Sequence, residues 1–303
     1  MNINQVQYFI SVAENKSFSA AAFDCYISQS SISKQIKALE EEFNVLFFER
    51  KHSRIELTPA GKVFYKFAKK SIVDYNEMQI LLEEYQDALQ STIAIGTIPI
   101  LSSYGITNII AAFSNHYNNA NICFDVSENS QSTILKELLL GIINLAIVRI
   151  INPEEMNDFE YKPFCTDTLV VACHKDHPLT KVKEPLTLEL LSKHDLYLMD
   201  VHSNLNVIPM NAFKKQNITP TLRGTTTRHK ILLEILNNKR VFSILPERLV
   251  DETLFPDIVT LPLEKPITSD IAILKVKGRR LNKVTKEFWD FWTGENIRNI
   301  INI

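Results

Sequence analysis

The stretch Ser17-Phe-Ser-Ala-Ala-Ala-Phe-Asp-Cys-Tyr-Ile-Ser-Gln-Ser-Ser-Ile-Ser-Lys-Gln-Ile-Lys-Ala-Leu39 reads as two short helices joined by a tight turn. Ser17 is placed to cap the first, and Ala20, Ala21 and Ala22 leave room for another helix to approach closely. Ile27 plugs the turn, and Ser28 is an N-cap for the second helix, which runs to about Glu42. In that helix Ile32, Ile36, Leu39 and Phe43 recur at the spacing of a buried stripe. The opposite face then carries Gln29, Ser30, Ser33, Lys34 and Lys37. Gln pairs bidentately with adenine, Ser contacts several base edges, and Lys reaches guanine or a phosphate, so this face suits the major groove of double-stranded DNA. The helix start, with Ser28 and Ser31, offers free N–H groups and a positive dipole end to a backbone phosphate.

The flanks extend this reading. A preceding helix over about Asn4–Glu14 has Ile3, Val6, Phe9, Ile10 and Ala13 at helical spacing. Downstream, Phe47-Phe48-Glu49-Arg50 leads through a basic run, Lys51-His52-Ser53-Arg54, to Ile55-Glu56-Leu57, which alternates like an edge strand. Together these make a two-stranded wing whose Arg50, Lys51 and Arg54 would hold phosphates. Thr58-Pro59-Ala60-Gly61 opens the next helix, with Thr58 as N-cap and Pro59 at its first position.

Arg50 with Leu57-Thr58-Pro59-Ala60-Gly61, downstream of Ser28-Gln29-Ser30-Ser31-Ile32-Ser33-Lys34-Gln35-Ile36 and Leu39-Glu40, resembles the winged helix-turn-helix of LysR-type transcriptional regulators. The likeness covers about sixty residues at the expected spacings. It departs at Asn44, where the family usually has Gly, and at Leu46, usually polar. Asn is the next-best left-handed residue, so the helix cap is expected to survive. The resemblance implies an effector-responsive regulator, often a dimer of dimers that bends its site.

A net charge of −2 does not argue against nucleic acid, because the charge is uneven. Residues 1–70 hold ten Lys and Arg against seven Asp and Glu, and three of those acids, Glu40, Glu41 and Glu42, lie together. A basic edge on a near-neutral protein suits a regulator that must release and search. The chain has no charged n-region followed by an apolar core, and no apolar run near the roughly eighteen residues a span needs, so neither export nor membrane insertion is expected. Four cysteines without a C-x-x-C pair fit a reducing cytoplasm. No cofactor is expected.

From Pro59 to about Ala88 only Gly61 interrupts a helix of roughly thirty residues, some 45 Å long. Phe64, Phe67, Ala68, Tyr75, Met78, Leu81, Leu82, Tyr85 and Leu89 recur close to a coiled-coil seam. A Lys-rich first half and an acidic second half favour antiparallel pairing with a second copy. The homodimer or homotetramer so formed would face a pseudo-palindromic site.

Beyond Thr92 the period changes. Strands at 92–96, 122–126 and 145–148 alternate with helices at 102–117 and 132–140, which means a parallel sheet covered by helices. A second unit starts near Cys165, with strands at 169–172, 196–199 and 241–245 and helices at 207–215 and 227–236. The strand 270–274 and the helix 283–300 return to the first unit. The expected organisation is a winged helix-turn-helix (1–58), a linker helix (59–90) and an effector domain (91–303). The effector domain has two Rossmann-like lobes, about 91–163 with 268–303 and about 164–267. The resemblance agrees, since the family's effector domain looks like a periplasmic solute-binding protein. Its motifs here are looser, mainly His177-Pro178-Leu179 and Ile244-Leu245-Pro246.

Ligands of open α/β sheets sit beyond strand C-termini, near helix N-termini. That rule selects Thr97, Pro99, Ser102 and Ser103, then Asn129, Gln131, Ser132 and Thr133, then Arg149. From the other lobe it selects Asp200, His202, Ser203 and Asn204, then Thr225, Thr226 and Thr227. Hydroxyls and amides around one guanidinium suit a small anionic metabolite such as a carboxylate, although Ser and Thr at helix starts are also ordinary caps. His174 and His177 are spaced like metal ligands but lack a third partner, and no metal is expected. Without a Gly-rich phosphate loop, a G-x-S-x-G elbow or paired carboxylates, catalysis is not expected. The rival readings are an enzyme or a ligand-binding α/β protein whose N-terminal domain serves another interaction.

Overall fold

A computed structural model describes residues 1–51, 54–83, 91–117 and 122–294. The chain divides into two units at Asp87/Ala88, with Leu139–Ile142 grouped with the first.

In the N-terminal unit, α1 (Ile3–Asn15) starts at a capping box, Asn2 accepting from the Gln5 N–H while Gln5 reaches back to the Asn2 N–H. Ser17 caps α2 (Phe18–Asp24), and Ser28 caps α3 (Gln29–Phe43). Asn44 ends α3 in the left-handed region at φ 53°, which Asn tolerates better than any residue but Gly. Val6, Phe9, Ile10, Ala21, Ile32, Ile36, Leu39 and Phe47 form the core of this unit, with Phe64 packed against it. The expected stripe of α3 stops one position early, because Phe43 is 46% exposed beside Val45 and Phe64.

Strands β1 (Phe48–Lys51) and β2 (Arg54–Leu57) pair antiparallel, Lys51 opposite Arg54 at the tip. The carboxylate of Glu40 accepts from the Phe47 and Phe48 N–H groups and ties β1 to the end of α3. The wing then turns into α4 (Pro59–Glu83) through Thr58, whose hydroxyl donates to Leu46 O and accepts from Gly61 N. A Cβ on Gly61 would stand 2.1 Å from the Phe47 carbonyl oxygen, so only Gly lets helix and wing meet here. The last part of the expected thirty-residue helix, residues 84–90, lies outside the described residues, as do His52 and Ser53.

The C-terminal unit is built on one sheet in the order β4-β3-β5-β11-β6-β9-β7-β8, with β10 also on β6. In the first lobe β3 (Ser91–Thr97) lies parallel to β4 (Ile122–Glu128) and β5 (Leu145–Ile150), connected through α5 (Ile106–Tyr117) and α6 (Gln131–Leu140). In the second, β7 (Asp195–Met199) is parallel to β8 (Thr221–Thr226) and β9 (Val241–Pro246), with α8 (Asn204–Lys215) and α9 (His229–Ile235) following β7 and β8. A single turn, α7 (Leu188–Leu191), precedes β7, and α10 (Lys283–Trp292) packs its Phe288, Trp289 and Trp292 on the first lobe's core.

Two strands run through both lobes. β6 (Phe159–His174) is sixteen residues long and pairs antiparallel with β11 (Ile267–Val276) from Phe159–Val276 to Leu169–Ile267. Beyond that pairing, β6 is met by β9 and by β10 (Ile258–Leu261). The sequence pattern marks the apolar end of β6 at 169–172 but not its first ten residues, nor β8 and β10. Those segments, Phe159-Glu-Tyr-Lys-Pro and Thr221-Leu-Arg-Gly, carry polar and breaker residues because one side faces solvent.

Helix starts also shift. α5 begins at Ile106, after a separate turn closed by Gly105 at φ 65°. α9 begins at His229 rather than Thr227. α8 begins three residues earlier than expected because Ser203 caps it, and it keeps Pro209 inside. α10 ends at Trp292, and the rest of the expected helix from 295 lies outside the described residues.

His177 is fully buried; its Nδ1 accepts from the Leu179 N–H and its ring lies 5.7 Å from that of His194. His174 Nδ1 likewise accepts from the Asp176 N–H, so both histidines cap local turns. Among the described residues no group of three or more potential ligands assembles around a metal position. Burial pushes the His177 pKa below its ordinary 6.5, opposed by the Arg240 backbone and reinforced by His194. His229 is pushed the same way by burial and Lys230. The unfolded chain therefore binds more protons below about 6.5, so stability is full above that pH and falls as pH drops through it. Thermal unfolding should be flat down to about pH 7 and then lose several degrees by about pH 5.5, less so in His177→Asn.

Candidate nucleic-acid interface and effector cleft

Ser28, Gln29, Ser30, Ser31, Ser33, Lys34 and Lys37 are all exposed, while Ile32, Ile36 and Leu39 are buried on the other side of α3. Local contacts grade them. Ser28 Oγ accepts from the Ser31 N–H and lies 2.8 Å from Ser31 Oγ and 2.9 Å from Ser30 Oγ, so these hydroxyls first organise the helix start. Ser19 of α2 donates to Gln29 Oε1 at 2.9 Å, which orients that amide. Lys37 shares its charge with Glu41 at 3.5 Å one turn on. The side chains of Arg50, Lys51 and Arg54 lie outside what is described, although their strands place all three on the wing.

The predicted effector residues separate into two groups. Gln131 at the start of α6 uses both ends of its amide on β5, donating to Arg149 O at 2.9 Å and accepting from Arg149 N at 3.0 Å. Its Oε1 also accepts from Asn204 Nδ2 at 2.6 Å, a bond between α6 of one lobe and α8 of the other. Ser102 and Ser103 instead line a cavity of about 240 Å3 with His229, Lys230, Leu233, Arg248, Leu249, Asp251, Leu254 and Phe255.

Of the rest, Thr97 is buried and its hydroxyl donates to Ile98 O. Pro99, Ser132, His202 and Thr225 are exposed, and Thr226 is half-buried. Ser132 and Thr133 form a hydroxyl cluster with Ser130, and the Asn129 N–H donates to Thr97 O. Asp200 accepts from the His202 N–H, and Ser203 caps α8.

Arg149 is not poised as expected. It is fully buried, its Nη1 lying 2.5 Å from Asp167 Oδ2 and 2.6 Å from Ser269 Oγ, and its Nη2 3.2 Å from Tyr104 OH. A guanidinium already paired in a buried site is not open to a ligand in this state. Every residue of β5 is buried, so both faces are covered and the side chain turns inward to its acid.

The cationic groups of the cavity, Lys230 and Arg248, went unforeseen. The rule that picked Thr225–Thr227 would have found His229 and Lys230 had the helix start been placed two residues later, and Arg248 follows the end of β9. Cys165 and Cys173 are buried, and burial pushes both thiols up to about 11, which keeps them protonated and unreactive at neutral pH. No helix among the described residues is long and apolar enough to cross a membrane.

Comparison with known proteins follows the same two-part division. A model described as bacterial regulatory helix-turn-helix protein, lysR family, matches residues 3–62. Another, described as LysR substrate binding domain, matches residues 86–295. The transcriptional dual regulator GltC of Bacillus subtilis is 28% identical over 295 residues, 96% of each chain. A probable RuBisCO transcriptional regulator of Trieres chinensis is 27% identical over 90% of this chain and 82% of its own. Among solved structures, full-length OxyR from Pseudomonas aeruginosa superposes with a TM-score of 0.61 at 21% identity, covering 97% of this chain and 96% of that one. Full-length CbnR complexed with its target DNA gives 0.59 at 20% identity, covering 96% and 98%.

Proposed function

The chain belongs to the LysR family of bacterial helix-turn-helix transcriptional regulators, and from this we propose how it reads DNA, pairs with a second copy and senses its effector. Gln29, Ser30, Ser33 and Lys34 face base edges, while Ser28 and Ser31 present the start of α3, and Lys37, Arg50, Lys51 and Arg54 present charge, to phosphates. The observation that carries this is the two-sided α3, apolar and buried on one side, small, polar and exposed on the other. The three-part division at about 58 and 90 is the working organisation, and the protein acts by binding, not catalysis, in the compartment that holds the genome.

Titrating purified protein on its own upstream intergenic DNA and on random DNA, across a salt series, tests the reading. The upstream fragment should bind more tightly, with affinity falling steeply as salt rises. No affinity for either would overturn it. Lys34→Ala should cost about 1–3 kcal/mol on the preferred fragment and less on random DNA. Equal losses on both would demote Lys34 to a phosphate contact.

A groove of about 540 Å3 runs between Phe43, Val45, Phe47, Val63, Phe64 and Phe67. Val63 is 61% and Phe67 63% exposed, an apolar surface that calls for a partner. A second copy supplies it, since Lys62, Lys66, Lys69 and Lys70 in the first half of α4 match Asp74 and Glu77 in the second when two such helices run antiparallel.

The effector site is the cleft at the strand ends. Lys230 and Arg248 outnumber Asp251 beside Ser102 and Ser103, which suits a small carboxylate. Against a panel of mono- and dicarboxylates, at least one should raise the unfolding temperature, and Lys230→Ala should diminish the rise. A response only to cationic or neutral compounds would refute the anionic reading.

A further inference from the structure

Four polar side chains meet in a buried site where the crossover strands pass between the lobes. Arg149 comes from the end of β5, Asp167 from β6, Ser269 from β11, and Tyr104 from the turn before α5. Arg149 touches the other three, and the Tyr104 hydroxyl donates to Asp167. Yet Arg149 Nε and Asp167 Oδ1, both buried, have no protein hydrogen-bond partner among the described residues.

A buried ion pair is a poor device for stability, since apolar residues of the same volume hold a core as well or better. Leaving one atom of each partner unmatched makes it poorer still. Its value must then lie in the geometry it imposes. Two chains of contact converge on it. The Arg149 backbone is gripped by Gln131, which is bonded to Asn204 in the other lobe. Tyr104 directly follows Ser102 and Ser103, which line the cavity.

We infer that Arg149 and Asp167 are a positioning pair that fixes the angle between the lobes and ties the cavity wall to the crossover strands. The one-point contact through Nη1 is one arrangement open to a guanidinium and a carboxylate. A forked contact on the Nε–Nη2 edge, with Oδ1 engaged, is another, and it requires Tyr104 to release Nη2. A ligand that moves the Ser102–Ser103 turn acts on this choice through Tyr104. The proposal rests on the two-lobed fold and on no particular effector, so it stands or falls separately from the anionic reading.

The test needs no ligand. Spin labels are placed at exposed positions of each lobe, Thr107→Cys and Leu222→Cys, in full-length protein with Cys25 and Cys123 replaced by Ser and diluted with unlabelled chains. With Arg149 and Asp167 intact, the inter-lobe distance distribution should be a single narrow peak. Arg149→Met with Asp167→Leu removes both charges together, leaving none unpaired. It should keep the melting temperature within a few degrees and random-duplex affinity within about twofold, while the distribution at least doubles in width or moves. An unchanged distribution in this folded variant would overturn the proposal and reduce the pair to core filling. Should the double variant fail to fold, Arg149→Lys keeps the charge and loses the fork. It is then expected to broaden the distribution, and an unchanged peak would again overturn the proposal.

Discussion

Asp167→Ala should destabilise the C-terminal unit by about 3–5 kcal/mol, a drop in melting temperature on the order of 10 °C. The size follows from what remains. Asp167 and Arg149 are each 1% exposed at the side chain, so removing the carboxylate strands a guanidinium where water cannot reach it. Tyr104 loses its acceptor in the same step. Against a typical total of about 5–15 kcal/mol, this one change approaches the threshold of unfolding. Asp176→Ala, which breaks a 2.5 Å contact with Lys239 on the exposed rim, should leave melting unchanged. Calorimetry on the two variants checks the contrast. Equal melting temperatures would mean that solvent or a rearranged partner reaches Arg149.

Phe67→Asp should separate the protein into monomers and lower its affinity for a two-half-site fragment by a factor of roughly 10² to 10⁴. Two linked heads make the second contact intramolecular, and that advantage disappears when the link is broken. Phe67 is 63% exposed, so a carboxylate there costs the isolated fold little. Across a paired surface, the same carboxylate would lie desolvated against Phe43 and Val63. Analytical ultracentrifugation reports the assembly, and titration on a single half-site reports whether the head itself is intact. A variant that stays dimeric would show that the second copy sits elsewhere.

The DNA-binding head was legible almost residue by residue, because its signals are local: caps at Ser17, Ser28 and Thr58, a period-four stripe at Ile32 and Ile36, and Asn44 at a left-handed cap. Phe43 misled because an apolar residue on the stripe can face a partner as well as a core. In the C-terminal unit, the all-apolar strands announced themselves. β8 and half of β6 did not, since a strand with one wet side and few apolar residues looks like a loop. The site was harder still. Arg149 stands alone as a charge within Leu145-Ala-Ile-Val-Arg-Ile150, and a lone charge in a strand covered on both faces needs an acid. Asp167, beside the apolar run from Leu169, was the matching oddity. Their meeting depends on long-range pairing of β5, β11 and β6, which no local pattern encodes.

Continuity of β6 through both lobes gives the molecule the mechanics of a torsion bar. A loop hinge swings freely and must be caught at each end of its travel. A ribbon of two hydrogen-bonded strands instead resists twist and springs back when released. A ligand that twists the lobes would do elastic work on binding, and the ribbon would store it for as long as the ligand stays. Its departure would release that energy and reset the protein, so the duration of the signal would follow the residence time of the ligand.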